Sequence, residues 1–138
     1  MERTIVENQQ VILKEKIKNF FTNVILESKE GPCPIKDMLA PSLDKWSLFV
    51  VFNLGYNGVM RFSELKKRVR GISSRMLSIT LKRLETTGIV KRTVYAEVPP
   101  RVEYQLTPIG EGFSERLIEM SMWYVGQIRE QANPSDVS

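Results

Sequence analysis

Helical spacing of apolar residues governs most of this chain, and only between residues 89 and 106 does the composition turn to that of strands. Ile5, Leu13, Ile17, Phe20, Phe21, Val24 and Ile25, with Lys14, Lys16 and Lys18 between them, predict a helix over 4–28 that stops before Gly31-Pro32. A short helix from Pro34 to Ala40 follows, with proline in its first turn, and Pro41 breaks it. Asp44 or Ser42 is placed to cap the next helix, Lys45 to Leu54. Its Trp46, Leu48, Phe49, Val50, Val51 and Phe52 mark it as the buried centre, and Gly55 and Gly58 are expected to end it. Phe62, Leu65 and Val69 give one face of a third helix, about 62–70, with Gly71 as the turn. Ser73 or Ser74 caps a fourth helix, whose Leu77, Leu81 and Leu84 face inward at i, i+4 and i+7 until Gly88 stops it.

Ile89 to Tyr95 and Val102 to Leu106 are rich in β-branched and aromatic residues and read as two strands around Val98-Pro99-Pro100. Thr107-Pro108 is a helix start, a capping oxygen followed by proline at the first helical position. The last helix runs to about Gln131 on a stripe of Phe113, Leu117, Met120, Trp123 or Tyr124, and Ile128. Residues 132–138 are expected to be a disordered polar tail. The fold class is therefore mostly α with a small β-hairpin (α+β), and the order helix, turn, helix, hairpin is that of a winged helix-turn-helix.

Charge sharpens this picture. Residues 61–92 hold ten Lys/Arg (61, 66, 67, 68, 70, 75, 82, 83, 91, 92) against Glu64 and Glu85, a net +8 in a chain of net +4, so everything else carries −4. A basic segment coinciding with that layout is the footprint of a phosphate-contacting surface, whereas a charge run alone is usually a solvated face.

Composition removes other classes. With 138 residues, 42% hydrophobic and 26% charged, the chain is a globular domain with enough length for a core. No apolar run approaches the ~20 residues of a bilayer span, and no leader pattern opens the chain, so a cytoplasmic location with no membrane partner is expected. The chain has no histidine, which removes Ser-His-Asp and Cys-His catalysis and most zinc and iron sites. One cysteine excludes an intrachain disulfide, and no glycine falls in a phosphate-cradling motif. No enzyme activity, cofactor or metal is expected.

The segments CPIKDMLA, DKW and RFSELKKRVRGISSRMLSITLKRLETTGIVKRTVYAEVPPRVEYQLTPIG resemble the HxlR-type transcriptional regulators, a branch of the MarR-like winged-helix proteins. The resemblance is continuous over roughly residues 33–124, and VPPRVEYQLTPIG is its most specific piece. It implies a small homodimeric repressor or activator that binds a palindromic operator in double-stranded DNA. Two departures stand out. Leu43-Asp44-Lys45-Trp46 replaces the usual Gly-Gly-Lys-Trp, and the helix before Cys33 is longer than the family's short arm.

With the leucines inward, Arg75, Ser78, Ile79 and Lys82 share the outer stripe of the fourth helix. Ser74 and Arg75 sit at the end that meets base edges, where Arg75 can read guanine, and the amides of Ser73 and Ser74 can hold a phosphate. Lys66, Lys67, Arg68, Lys82 and Arg83 are assigned to phosphates. Arg92 and Arg101 flank the hairpin turn, and Arg101 either enters the minor groove or pairs with Glu97 or Glu103. Tyr95 and Tyr104 are read as packing residues.

Cys33, between two prolines and before a short helix, is either a redox sensor, since a helix N-terminus favours the thiolate, or a small buried apolar residue. A cysteine at this place is typical of the family the chain resembles. With no second cysteine, reversible switching needs an intersubunit disulfide, a small-thiol adduct or a sulfenic acid. Residues 1–30 are expected to be a dimerisation extension, 31–107 the winged helix-turn-helix and 108–131 a dimerisation helix, with Phe20, Phe21, Leu117, Met120, Trp123 and Tyr124 as interface candidates. The competing readings are a winged-helix protein-interaction module or a nonspecific DNA-binding protein.

Overall fold

A computed structural model describes residues 2–25, 31 and 33–132. They divide into two compact units, Met1–Pro41 and Ser42–Ser138. In the first, helix α1 spans Glu2–Phe20 and runs into a wider π-helical turn, Phe21–Ile25. The predicted helix end at 26–28 lies outside the described residues. Six residues, Pro34–Leu39, form a second π-helical turn, followed by a single 3-10 turn, Ala40–Ser42. The expected α-helix at 34–40 is thus two wider or tighter turns, neither long enough to propagate α-helical bonding between Pro34 and Pro41.

The second unit is built around α2, Lys45–Asn57, which packs against α3 (Phe62–Arg68), α4 (Ser74–Thr86), α5 (Pro108–Ala132) and strand β2. Asp44 caps it, its Oδ1 accepting from the Ser47 N–H at 2.8 Å. The helix continues through Gly55 and ends only at Gly58, whose φ of 74° is left-handed. Gly55 was expected to stop it. One glycine costs a helix interior only about 1 kcal/mol, and here close packing on Leu106 and Ser114 accompanies it. Val50, Val51 and Leu54 are buried, while Trp46, Leu48 and Phe52 pack partly buried against the core and Phe49 is exposed. The helix is the centre of the unit, as its composition suggests, and it buries one face.

Leu65, Val69, Ile72, Leu77, Leu81 and Leu84 complete the helical side of the core. Full burial of each leucine contributes about 1.5–3 kcal/mol. Strands β1 (Val90–Tyr95) and β2 (Arg101–Leu106) pair antiparallel, Val90 opposite Leu106 and Tyr95 opposite Arg101. Met60 adds an isolated bridge on the far side of β2: its N–H donates to the Tyr104 carbonyl at 2.9 Å and its carbonyl accepts from the Tyr104 N–H at 2.8 Å. Backbone groups that β2 would otherwise leave as an open edge are paired there.

Thr107 joins the hairpin to α5. Its hydroxyl accepts from the Gly110 N–H at 3.0 Å, as a helix cap does, and donates to the Gly88 carbonyl. Its own N–H donates to the Ile89 carbonyl at 3.0 Å. Leu117 is 4% exposed and belongs to the core, while Met120, Trp123, Tyr124 and Ile128 are exposed. The residues 133–138 of the expected tail lie outside the described residues, and Ala132 ends α5. Among the described residues no helix is long and apolar enough to cross a membrane, and no group of three acidic, cysteine or histidine side chains is arranged to hold a metal.

Gly110 is where α5 touches the start of β1 most closely: a Cβ there would overlap the Ile89 backbone carbonyl. Gly110→Ala is expected to destabilise the fold by about 1–3 kcal/mol, the cost of overpacking a site that cannot yield, read as a lower denaturant midpoint with unchanged slope. Wild-type stability in this variant would remove the contact from the structural account.

Candidate nucleic-acid interface

The site starts from a chain of caps. The Arg61 N–H donates to Glu64 Oε1 at 3.4 Å and starts α3. Leu65 and Val69 turn inward, which leaves Lys66, Lys67 and Arg68 exposed on the other side. Gly71, with φ of 85°, makes the reversal into α4. Ser73 is the cap: its Oγ accepts from the Met76 N–H at 3.0 Å. Its hydroxyl is therefore committed within the helix, and the N–H groups of Ser73, Ser74 and Arg75 are the ones left for an anion.

Helix α4 is sharply two-sided. Leu77, Thr80, Leu81 and Leu84 are buried, and Ser74, Arg75, Ser78, Ile79 and Lys82 are exposed, spaced so that they share one face. Ser78, Lys82 and Glu85 line a cleft of about 280 Å³ together with Arg92 and Tyr104 of the hairpin. The fold thus brings the expected strand arginine alongside the exposed face of the fourth helix. Arg70, in the turn before α4, and Lys91 on β1 are further exposed cations beside this face; both stand in the same basic run of the sequence.

Two arginines are held by carboxylates. Arg83 Nη1 donates to Asp44 Oδ2 at 2.7 Å, across 39 residues of chain, and so ties α4 to the cap of α2. Arg101 lies 3.5 Å from Glu97 and 3.4 Å from Glu103, and its guanidinium sits 4.1 Å from the centre of the Tyr95 ring. Of the two roles open to Arg101, hairpin support is the one its contacts describe. Tyr104 is buried and Tyr95 lies under Arg101, both as packing residues.

Cys33 is half-exposed with a free thiol. Its N–H donates to Asp37 Oδ2 at 2.7 Å, and its carbonyl accepts from the Asp37 N–H at 2.9 Å. Of the interface candidates, Phe20 and Phe21 are exposed and meet each other edge to face at 5.9 Å. Met120, Trp123 and Tyr124 are exposed, whereas Leu117 faces the core of its own unit and cannot serve an interface.

Residues 43–132 match the HxlR-like helix-turn-helix family. The chain belongs to that family. The HTH-type transcriptional regulator YtfH of Escherichia coli (strain K12), itself uncharacterized, is 35% identical over 114 residues, covering 83% of this chain and 85% of its own. A solved MarR-family transcriptional regulator from Enterococcus faecalis V583 superposes with a TM-score of 0.64 at 34% identity, over 69% of this chain and 86% of that one. The redox regulator HypR in its oxidized form gives a TM-score of 0.58 at 36% identity, over 66% of this chain and 93% of that one. This HxlR-like chain is accordingly a DNA-binding transcriptional regulator with a winged helix-turn-helix fold.

The Asp44–Arg83 junction yields a pH prediction. Burial pushes the Asp44 carboxyl up, but the Ser47 hydroxyl and N–H and the Arg83 hydrogen bond and charge outweigh it, and the group rests below its ordinary 3.8. A depressed carboxylate adds stability above its unfolded pKa and loses it as pH falls through the folded value. Asp44→Ala is expected to cost about 1–2 kcal/mol at neutral pH through the lost cap, and to flatten the fall in stability below about pH 4. An acid limb as steep as that of the wild type, in urea titrations at a series of pH values, would show that Asp44 carries none of it.

Proposed function

We propose that this chain acts as a homodimer that reads a palindromic operator, with α4 in the major groove and the hairpin as a wing on the neighbouring minor groove. The observation that carries this reading is the exposed stripe Ser74, Arg75, Ser78, Ile79 and Lys82, set on α4 opposite its buried leucines, with Ser78 and Lys82 sharing one cleft with Arg92. Arg75 at the helix start has the donor fork for guanine, and Ser78 and Ile79 supply a hydrogen bond and an apolar contact. Lys66, Lys67, Arg68 and Lys82 bind phosphates, with the amides at Ser73 and Ser74. Arg83 acts through Asp44 as a scaffold, and Arg101 shapes the wing. Exposed Phe20, Phe21, Met120, Trp123 and Tyr124 form the two-fold interface, so that 1–30 and 108–131 serve dimerisation and 31–107 serves DNA. An apolar surface of this kind on two helices supports association.

Selection of bound duplexes from a random pool, at stated salt, tests the reading. An inverted repeat is the expected result; recovery of no sequence, with weak salt-sensitive binding alone, favours a nonspecific DNA-binding or protein-interaction role. On the selected site Arg75→Ala should lose about 1–3 kcal/mol and relax the preference at one position, while Lys66→Ala should weaken all duplexes alike. Equal losses on cognate and random DNA for Arg75→Ala would end its assignment as a base reader.

Redox responsiveness through Cys33 belongs to the same proposal. It is supported by the half-exposed free thiol and by the likeness to HypR, a redox regulator. With one cysteine per chain, the oxidised form is an intersubunit disulfide, a mixed disulfide with a small thiol, or a sulfenic acid. Diamide is expected to weaken operator binding by the wild type and leave Cys33→Ser unaffected; loss of binding by both would show that the effect does not pass through a thiol of this chain.

A further inference from the structure

On the side of the second unit formed by α2, α5 and the end of β2, a cavity of about 690 Å³ opens to solvent. That is the size of a small-molecule site, roughly 300–1,000 Å³. Phe52, Leu106, Ile118 and Met122 give it apolar walls. Gly55 keeps it open, since a Cβ there would stand 3.2 Å from Ser114 Oγ and 3.6 Å from Leu106 Cδ1.

Its polar groups all point to one charge. Glu111 and Glu115, one helical turn apart on α5, stand at the rim, and no lysine or arginine lines the cavity. Among the described residues no ion pair reaches Glu111, and Glu115 meets only Arg116, 3.4 Å away in a pair whose side chains are each 73% exposed, an arrangement that contributes little. Phe52 and Tyr56, also one turn apart, bring two aromatic rings to the same opening, and ring faces attract cations. Ser114 adds a neutral polar group: the residue is 6% exposed and lines the cavity.

We propose that this cavity is a ligand site for lipophilic organic cations: an aromatic or aliphatic body on Phe52, Leu106 and Ile118, the positive charge between Glu111, Glu115 and the Tyr56 ring, and the Ser114 hydroxyl as the buried polar contact. In a chain whose basic face attracts anions, this is an acidic, apolar site of opposite preference. Leu106 closes β2 and Phe52 lies on α2, so the ligand bears on the two elements that hold the wing and α4 in place. The site stands whether or not the operator reading does, because its test needs no DNA.

The test is calorimetric titration of the full chain with tetraphenylphosphonium and with neutral triphenylphosphine oxide, which shares most of its shape. The cation is expected to bind about tenfold more tightly than the oxide, the size of one cation–π or carboxylate contact. Glu111→Gln combined with Glu115→Gln, two exposed positions that keep the fold, should remove about that factor for the cation and leave the oxide unchanged. Equal affinity of the two probes, an unchanged cation affinity in the double variant, or no binding of either probe would each overturn the proposal. So would binding that appears only when dilution separates dimers, observed by sedimentation, because a second copy would then be the occupant of the groove.

Discussion

Helix α4 has one face that must be buried, and most of the DNA-binding surface follows from that. Leu77, Leu81 and Leu84 are sealed from water against the rest of the second unit, and Thr80 goes in with them. With about 1.5–3 kcal/mol for each leucine removed from water, rotating the helix to present another face would cost a large share of the stability a small domain has. The 3.6-residue repeat then leaves Arg75, Ser78, Ile79 and Lys82 no direction but outward. The functional face is the complement of the core face, and the two cannot vary independently.

Around that helix, short polar contacts fix the joints. Asp44 caps α2 and grips Arg83 of α4; Ser73 caps α4; Thr107 caps α5 and ties it to Gly88 and Ile89. Asp44 and Thr107 are single small residues that each serve two elements at once. The Leu43-Asp44-Lys45-Trp46 segment, which departs from the family's usual Gly-Gly-Lys-Trp, supplies one of these joints. Its carboxylate performs what no glycine could, both a cap and an ion pair.

The molecule separates its charges by element. Most of the net +8 of residues 61–92 lies on α3, α4 and β1, with Arg61 and Arg70 flanking α3, while the cavity beside α5 carries Glu111 and Glu115. Arg101, although basic and beside the wing tip, is drawn into Glu97, Glu103 and Tyr95 instead of standing free. One carboxylate stays on the basic side, Glu85, which lines the cleft with Lys82 and Arg92.

Much of this was readable in the chain itself. Local patterns located α2, α3, α4 and α5, the inward leucines and the cap at Thr107, and narrowed the other caps to Asp44 or Ser42 and to Ser73 or Ser74, because these depend on local bonding and on one repeating pattern. The basic run was legible because charge is a property of composition. Position along the helix was harder. Gly55 reads as a stop but sits inside α2, because packing on α5 and β2 overrides a penalty of about 1 kcal/mol; Leu117 reads as interface but faces the core. The pairings of Arg83 with Asp44, of Met60 with Tyr104, and of Arg101 with its two glutamates join distant or competing partners, which one-dimensional patterns do not rank. The sequence by itself determined which faces were apolar and which basic; only the tertiary structure decided which charged groups were left free and which cavity they surrounded, because that depends on side chains brought together across tens of residues by the packing of α2 against its neighbours.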